Sequence, residues 1–116
     1  MISVGCDIER VDKFKGLELK KDKKFLEKIY SKGELEYCFS KSNSAESLAA
    51  RFCAKESAIK ALAQFEVRKL ALKDIEVTIE GGYPMISVKC LENIGFSISM
   101  SHTSEYVIAF VLAEKK

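Results

Sequence analysis

Strict alternation of apolar and polar residues recurs at both ends of this chain, and it obliges strands far apart in sequence to meet in a sheet. From Ile2 to Ile8, Ile2, Val4, Cys6 and Ile8 fall on one face and Ser3, Gly5 and Asp7 on the other. Ile75, Val77 and Ile79 alternate with Asp74, Glu76, Thr78 and Glu80, and the turn Gly81-Gly82-Tyr83-Pro84 leads on to Ile86, Val88 and Cys90. This pattern predicts a hairpin. Phe96, Ile98, Met100 and His102 alternate with Ser97, Ser99 and Ser101, and after Thr103-Ser104 a β-branched and aromatic run, Tyr106 to Leu112, predicts a second.

Helical signals fill the interval after the first strand. The segment from Arg10 to Phe39 is lysine-rich and interrupted by Gly16 and Gly33, which suits two or three short helices. Asn43 or Ser44 can cap a longer one, because Glu46 follows Asn43 by three positions in a capping-box-like arrangement before the run Leu48 to Phe65. Leu48, Phe52, Ile59, Leu62 and Ala63 supply its expected apolar stripe. The order strand, helices, four strands gives an α+β class, a largely antiparallel sheet packed against one long helix with short N-terminal helices. With no linker-like stretch, residues 1–116 are read as one domain.

Composition narrows the function classes. Apolar residues make up 47% and charged residues 31%, enough for a core. A net charge of +2 from 19 basic and 17 acidic residues is too small to argue for nucleic-acid binding. The basic residues are concentrated, seven against three acidic ones between Lys13 and Lys28, which reads either as a solvated face or as a dock for an acidic partner. Cys6, Cys38, Cys53 and Cys90 have no metal-type spacing and are expected to be reduced core thiols. No signal peptide or membrane span is read, so a cytoplasmic location is expected, with no membrane partner.

Three islands hold polar residues that strand and helix patterns do not require. Asp7 ends an otherwise apolar strand on its less apolar face, where it would serve either chemistry or the cap of the next helix. In the long helix Phe52, Glu56 and Lys60 lie four apart along one side. The pair Glu56 and Lys60 fits an ordinary surface ion pair equally well as a site that tolerates charge beside a core-type Phe. His102, the single histidine, stands at a hairpin tip, within reach of a phosphate oxygen if it is not structural. Two carboxylates from separate elements suit a hard cation such as Mg²⁺, and a lysine beside it would help neutralise a pyrophosphate. Acid, lysine and histidine without a nucleophile pair suit phosphoryl transfer. A non-catalytic module that binds RNA or an acidic protein and a metal-dependent phosphohydrolase are the competing readings.

Gly5-Cys6-Asp7-Ile8, the helix segment Arg51-Phe52-Cys53-Ala54-Lys55-Glu56-Ser57-Ala58-Ile59-Lys60-Ala61, and Ser99-Met100-Ser101-His102-Thr103, in this order, resemble the holo-acyl-carrier-protein synthases, the small stand-alone phosphopantetheinyl transferases. The resemblance implies transfer of 4′-phosphopantetheine from coenzyme A to a serine of an apo-acyl carrier protein, releasing adenosine 3′,5′-bisphosphate. It implies Mg²⁺ on Asp7 and Glu56, Glu56 as the base for the serine, and Lys60 and His102 on the phosphates. Arg51, Pro84 and Ser101 match nucleotide-contacting positions. It further implies a homotrimer with active sites between subunits and a basic first helix, with Lys13, Lys20, Lys21 and Lys24, that docks the acidic carrier. The chain departs from the family pattern in three places. Arg10 and Lys13 stand where Glu and Arg are usual, with Glu9 displaced by one, and Ala63-Gln64-Phe65-Glu66-Val67 replaces a Gly-rich loop. Tyr83 replaces the basic residue of a Gly-Lys-Pro or Gly-Arg-Pro turn.

Overall fold

The computed structural model describes residues 1–116. Strand β1 (Ile2–Arg10) runs into a short 3₁₀ turn, Val11–Phe14, followed by helices α1 (Lys23–Ile29), α2 (Lys32–Phe39) and α3 (Ser44–Ala63). Strands β2 (Ile75–Glu80), β3 (Tyr83–Val88), β4 (Ile94–His102) and β5 (Tyr106–Lys115) complete the chain. The α+β class holds, but the strands divide into two sheets. β1, β5 and β4 form an antiparallel sheet in that order, and β2 pairs with β3 alone.

Helix α3 starts where the sequence suggests, with Asn43 Oδ1 accepting the Glu46 N–H at 3.1 Å. The residues it buries are mostly small ones, Ala45, Ala49, Cys53, Ala54, Ser57, Ala58 and Ala61, together with Leu48 and Leu62. Small side chains let the helix lie close against β1 and β5. At the crossing, a Cβ on Gly5 would fall 2.0 Å from the Ser57 carbonyl oxygen and 2.7 Å from the Ala61 nitrogen. Ser3 Oγ donates to the Ala61 carbonyl at 2.7 Å, and Ser57 Oγ lies 3.0 Å from the Ala109 carbonyl.

This close approach decides the facing of β1. Its small and polar residues, Ser3, Gly5 and Asp7, face the helix, while Ile2, Val4, Cys6 and Ile8 point away. With Tyr106, Ile108 and Phe110 of the paired β5, Ile2, Val4 and Ile8 form an apolar sheet face in which each of the six remains 43–62% exposed. The expectation of four core thiols is corrected in the same way. Cys38 and Cys53 are buried, whereas Cys6 lies on the outer sheet face, Cys90 lies after β3, and both are exposed.

Helix α3 ends in two bonds, Val67 N–H to Leu62 O at 3.2 Å and Glu66 N–H to Ala63 O at 3.0 Å. This is a Schellman ending, and Glu66 occupies its left-handed position with φ 63° where glycine is usual. The segment that lacks the family's glycines therefore keeps one backbone bend that glycine would relieve.

Candidate active site

Asp7 projects from the helix-facing side of β1 and is 14% exposed. Its backbone carbonyl accepts the Cys53 thiol at 3.1 Å, and its Oδ1 lies 3.5 Å from Lys60 Nζ, which also donates to the Cys6 carbonyl at 3.0 Å. The other oxygen, Oδ2, is buried and has no partner in the protein. An orphaned carboxylate oxygen is costly unless a cation or donor completes it.

Two residues along the same strand face, Glu9 stands beside Asp7, and Lys13 Nζ donates to Glu9 Oε1 at 2.7 Å. Burial, and then the adjoining Asp7, hold the Glu9 carboxyl above the usual range, with Lys13 acting against them. The Lys13 ammonium is stabilised first by its bond to Glu9 and then by the charges of Asp7 and Glu56. It also lies 5.7 Å from the Phe52 ring centre. Phe52, Glu56 and Lys60 thus run along the flank of α3 that borders β1, with Asp7 and Glu9 opposite them. The structure sets Lys60 beside Asp7, carries Glu56 one turn before Lys60 on α3, and adds Glu9, which sequence reading noted only as a displaced family residue.

The unpartnered Asp7 Oδ2 is the atom that fits a divalent cation. No three His, Cys, Asp or Glu side chains form a ready-made ligand set. Mg²⁺ does not require one, since it takes one or two protein carboxylates and completes its octahedron with water and phosphate oxygens.

Pro84, Ser101 and His102 gather elsewhere. With Gly82, Tyr83 and Met100 they line a cleft of about 380 Å³ between the β2–β3 hairpin and β4. His102 Nδ1 lies 3.4 Å from Glu46 Oε2 in the first turn of α3. His102 pairs with Val107 and Asp7 with Ala109, so the two residues sit on the outer strands of the sheet with β5 between them. Within one subunit the histidine does not face the Asp7 carboxylate. A larger hollow of about 750 Å³, near Glu27, Lys73 and Glu92, holds none of the expected site residues.

Arg51 is buried, 4% exposed, with its guanidinium 4.2 Å from the Tyr37 ring centre and its Nε unpartnered. It packs between α2 and α3, outside the lining of the cleft. The basic residues do not share one helix. Lys13 belongs to the 3₁₀ turn and is engaged by Glu9, Lys20 and Lys21 precede α1, and Lys24 lies on it. Lys20, Lys21 and Lys24 do cluster, around a half-exposed Phe25.

Sequence reading also missed Lys55, which it quoted without a role. This lysine is fully buried and bound 2.7 Å from Glu34 Oε1, a pair that no periodicity announces.

The 4′-phosphopantetheinyl transferase superfamily model matches residues 3–111. A holo-[acyl-carrier-protein] synthase of Chlamydia muridarum is 40% identical over 98% of this chain and 95% of its own length. The enzyme of that name from Thermodesulfovibrio yellowstonii is 41% identical over 94% and 95%. The crystal structure of Helicobacter pylori holo-[acyl-carrier-protein] synthase in complex with coenzyme A superposes with a TM-score of 0.80 at 30% identity, covering 96% of this chain and 99% of that one. A match over nearly the whole chain, in sequence and in fold, places the protein in the 4′-phosphopantetheinyl transferase superfamily.

Proposed function

We propose that this protein transfers the 4′-phosphopantetheine arm of coenzyme A to a serine of an apo-acyl carrier protein, with Mg²⁺, and releases adenosine 3′,5′-bisphosphate. The observation that carries the reading is the buried, unpartnered Asp7 Oδ2 beside Lys60, on the side of the molecule that also holds Glu56. Asp7 and Glu56 would hold the cation, with Glu9 on the same strand face as Asp7. Bound there, Mg²⁺ supplies charge stabilisation at the diphosphate oxygens. Glu56 accepts the proton of the carrier serine as its oxygen attacks the β-phosphate. Lys60, 55% exposed, turns its ammonium toward the phosphates, and the imidazole of His102 donates to them from the cleft. Pro84 and Ser101 contact the nucleotide end of coenzyme A, with Arg51 acting from behind α3.

The chain works as a homotrimer in this reading. The six-residue apolar sheet face supports it, because a patch of that kind left in water marks an interaction surface. The separation of Asp7 and His102 on outer strands supports active sites shared between subunits, one contributing the acids and Lys60, its neighbour the cleft. The Lys20, Lys21 and Lys24 cluster docks the acidic carrier, and Lys13, held by Glu9, adds to the same charge. No helix is long and apolar enough to cross a membrane, which accords with work in the cytoplasm on a soluble carrier.

Incubation with coenzyme A, Mg²⁺ and an apo-acyl carrier protein should yield carrier heavier by one phosphopantetheine arm in the mass spectrometer. No gain with several carriers would overturn the reading.

A further inference from the structure

The β2–β3 hairpin has no ladder to the main sheet, yet its Gly82, Tyr83 and Pro84 form one wall of the cleft that His102 and Ser101 complete. Its orientation must be fixed by something other than strand pairing. At its base, the fully buried Lys55 of α3 donates to Glu34 Oε1 at 2.7 Å, to the Leu72 carbonyl at 3.0 Å and to the Ile75 carbonyl. Those three acceptors use all three ammonium protons. Glu34 of α2 also accepts the Ser31 N–H on Oε1 and the Val77 N–H on Oε2, each at 2.8 Å. Ser31 Oγ in turn donates to Glu76 Oε2 at 2.7 Å.

One ion pair therefore ties α2 and α3 to the first residues of the hairpin, Ile75 to Val77, through directional bonds. Burial lowers the Lys55 pKa, and Glu34 offsets that effect. A buried pair is a poor source of net stability compared with apolar packing of the same volume, whereas its bonds fix geometry that apolar packing leaves looser.

We propose that Lys55 and Glu34 are positioning residues that set the hairpin against α3, and through it the width of the cleft that takes the nucleotide end of coenzyme A. The proposal rests on the placement of coenzyme A in that cleft. Neither side chain touches substrate. Their effect falls on the affinity for coenzyme A and leaves the metal site at the opposite edge of the sheet alone.

The test is the charge-balanced double variant Glu34→Gln with Lys55→Met. Hydrogen exchange of the amides of residues 77–88 reads the hairpin without any ligand, and calorimetry with coenzyme A reads the cleft. Exchange in the hairpin is expected to rise at least roughly tenfold while α3 keeps its protection. The Kd for coenzyme A should rise about tenfold, with kcat at saturating coenzyme A within about twofold of the parent, the signature of lost binding alone. Unchanged hairpin exchange overturns the lock. Faster exchange with unchanged affinity overturns its role at the cleft, provided His102→Ala still weakens coenzyme A. If His102→Ala has no effect either, the placement of coenzyme A is what fails. Should the double variant not fold, Ser31→Ala removes the bond to Glu76 together with the cap of α2 on the Glu34 N–H, keeps the ion pair, and is expected to move both readouts the same way by a smaller factor. A folded Ser31→Ala protein with both unchanged would overturn the proposal.

Discussion

Lys60 Nζ lies 3.5 Å from Asp7 Oδ1, while the second oxygen of the same carboxylate is buried and bound to nothing in the protein. The lysine thus neutralises one half of the group and leaves the other for a cation. If Asp7 and Glu56 hold the cation as proposed, Asp7→Asn and Glu56→Gln each remove a ligand charge. Each is expected to lower turnover roughly 100-fold and to move the Mg²⁺ titration to higher concentration. Titration curves matching the parent in both variants would remove these residues from the metal site.

Gly5 fixes how closely α3 can approach the sheet, and that approach carries Lys60 to Asp7. An added Cβ would stand 2.0 Å from backbone oxygen, where no flexible side chain can yield. Gly5→Ala should therefore cost about 3 kcal/mol, the upper part of the range for overpacking. Urea denaturation gives the value, and a loss under about 0.5 kcal/mol, the range of neutral surface changes, would mean that the helix can retreat freely.

The exposed sheet face and the split between the two sets of site residues make a joint prediction. Ile8→Lys with Phe110→Glu places charges in the middle of that face and should give a monomer by light scattering, with little activity. Mixed oligomers of Asp7→Asn and His102→Ala subunits should regain activity that neither variant has alone, because one junction in the assembly is then intact. Subunit exchange without recovery would confine the site to a single chain.

Glu66 adopts φ 63° at the Schellman position closing α3. A side chain there costs roughly 1 kcal/mol relative to glycine. Glu66→Gly is expected to raise stability by about that amount, slightly offset by the greater freedom of the unfolded chain. A lower melting temperature in the variant would show that the Glu66 side chain has a compensating contact.

What the sequence disclosed follows from the range of the forces involved. Period-two alternation and the Asn43 cap are local, and they placed the strands and the start of α3 close to where they lie. Which face of β1 packs was not legible, because that side is chosen by how near α3 can come, and Ser3 and Gly5 permit an approach that Ile2 and Val4 would block. The separate hairpin was equally hidden, since strand pairing across a long interval leaves no periodic mark. Asp7, Glu56 and Lys60 were legible as candidates because their two motifs co-occur at family spacings, and the contact of Lys60 with Asp7 joins those motifs in space. Glu9 and the Lys55–Glu34 pair were not, since a buried charge has no signature until its partner in space is known.

Buried acids set the behaviour of the fold at high pH. Burial pushes the Cys38 thiol up to about 11, against the pull of Arg51, and the Cys53 thiol up to about 12. It also raises the Tyr30 hydroxyl, which donates to the Leu48 carbonyl at 2.7 Å. Each folded-state pKa lies above its unfolded value, so the folded chain keeps protons that the unfolded chain releases. Their contribution is complete below about pH 9, the ordinary thiol range, and is lost as pH climbs through the raised values. Lys55 works the other way, because its lowered pKa makes the unfolded chain the better proton binder up to the ordinary lysine value. With three groups against one, the urea midpoint should fall steadily above pH 9. Tyr30→Phe should flatten that decline while costing about 1 kcal/mol at neutral pH for the lost hydrogen bond. A midpoint level from pH 8 to 11 in the parent protein would contradict the burial of these three groups.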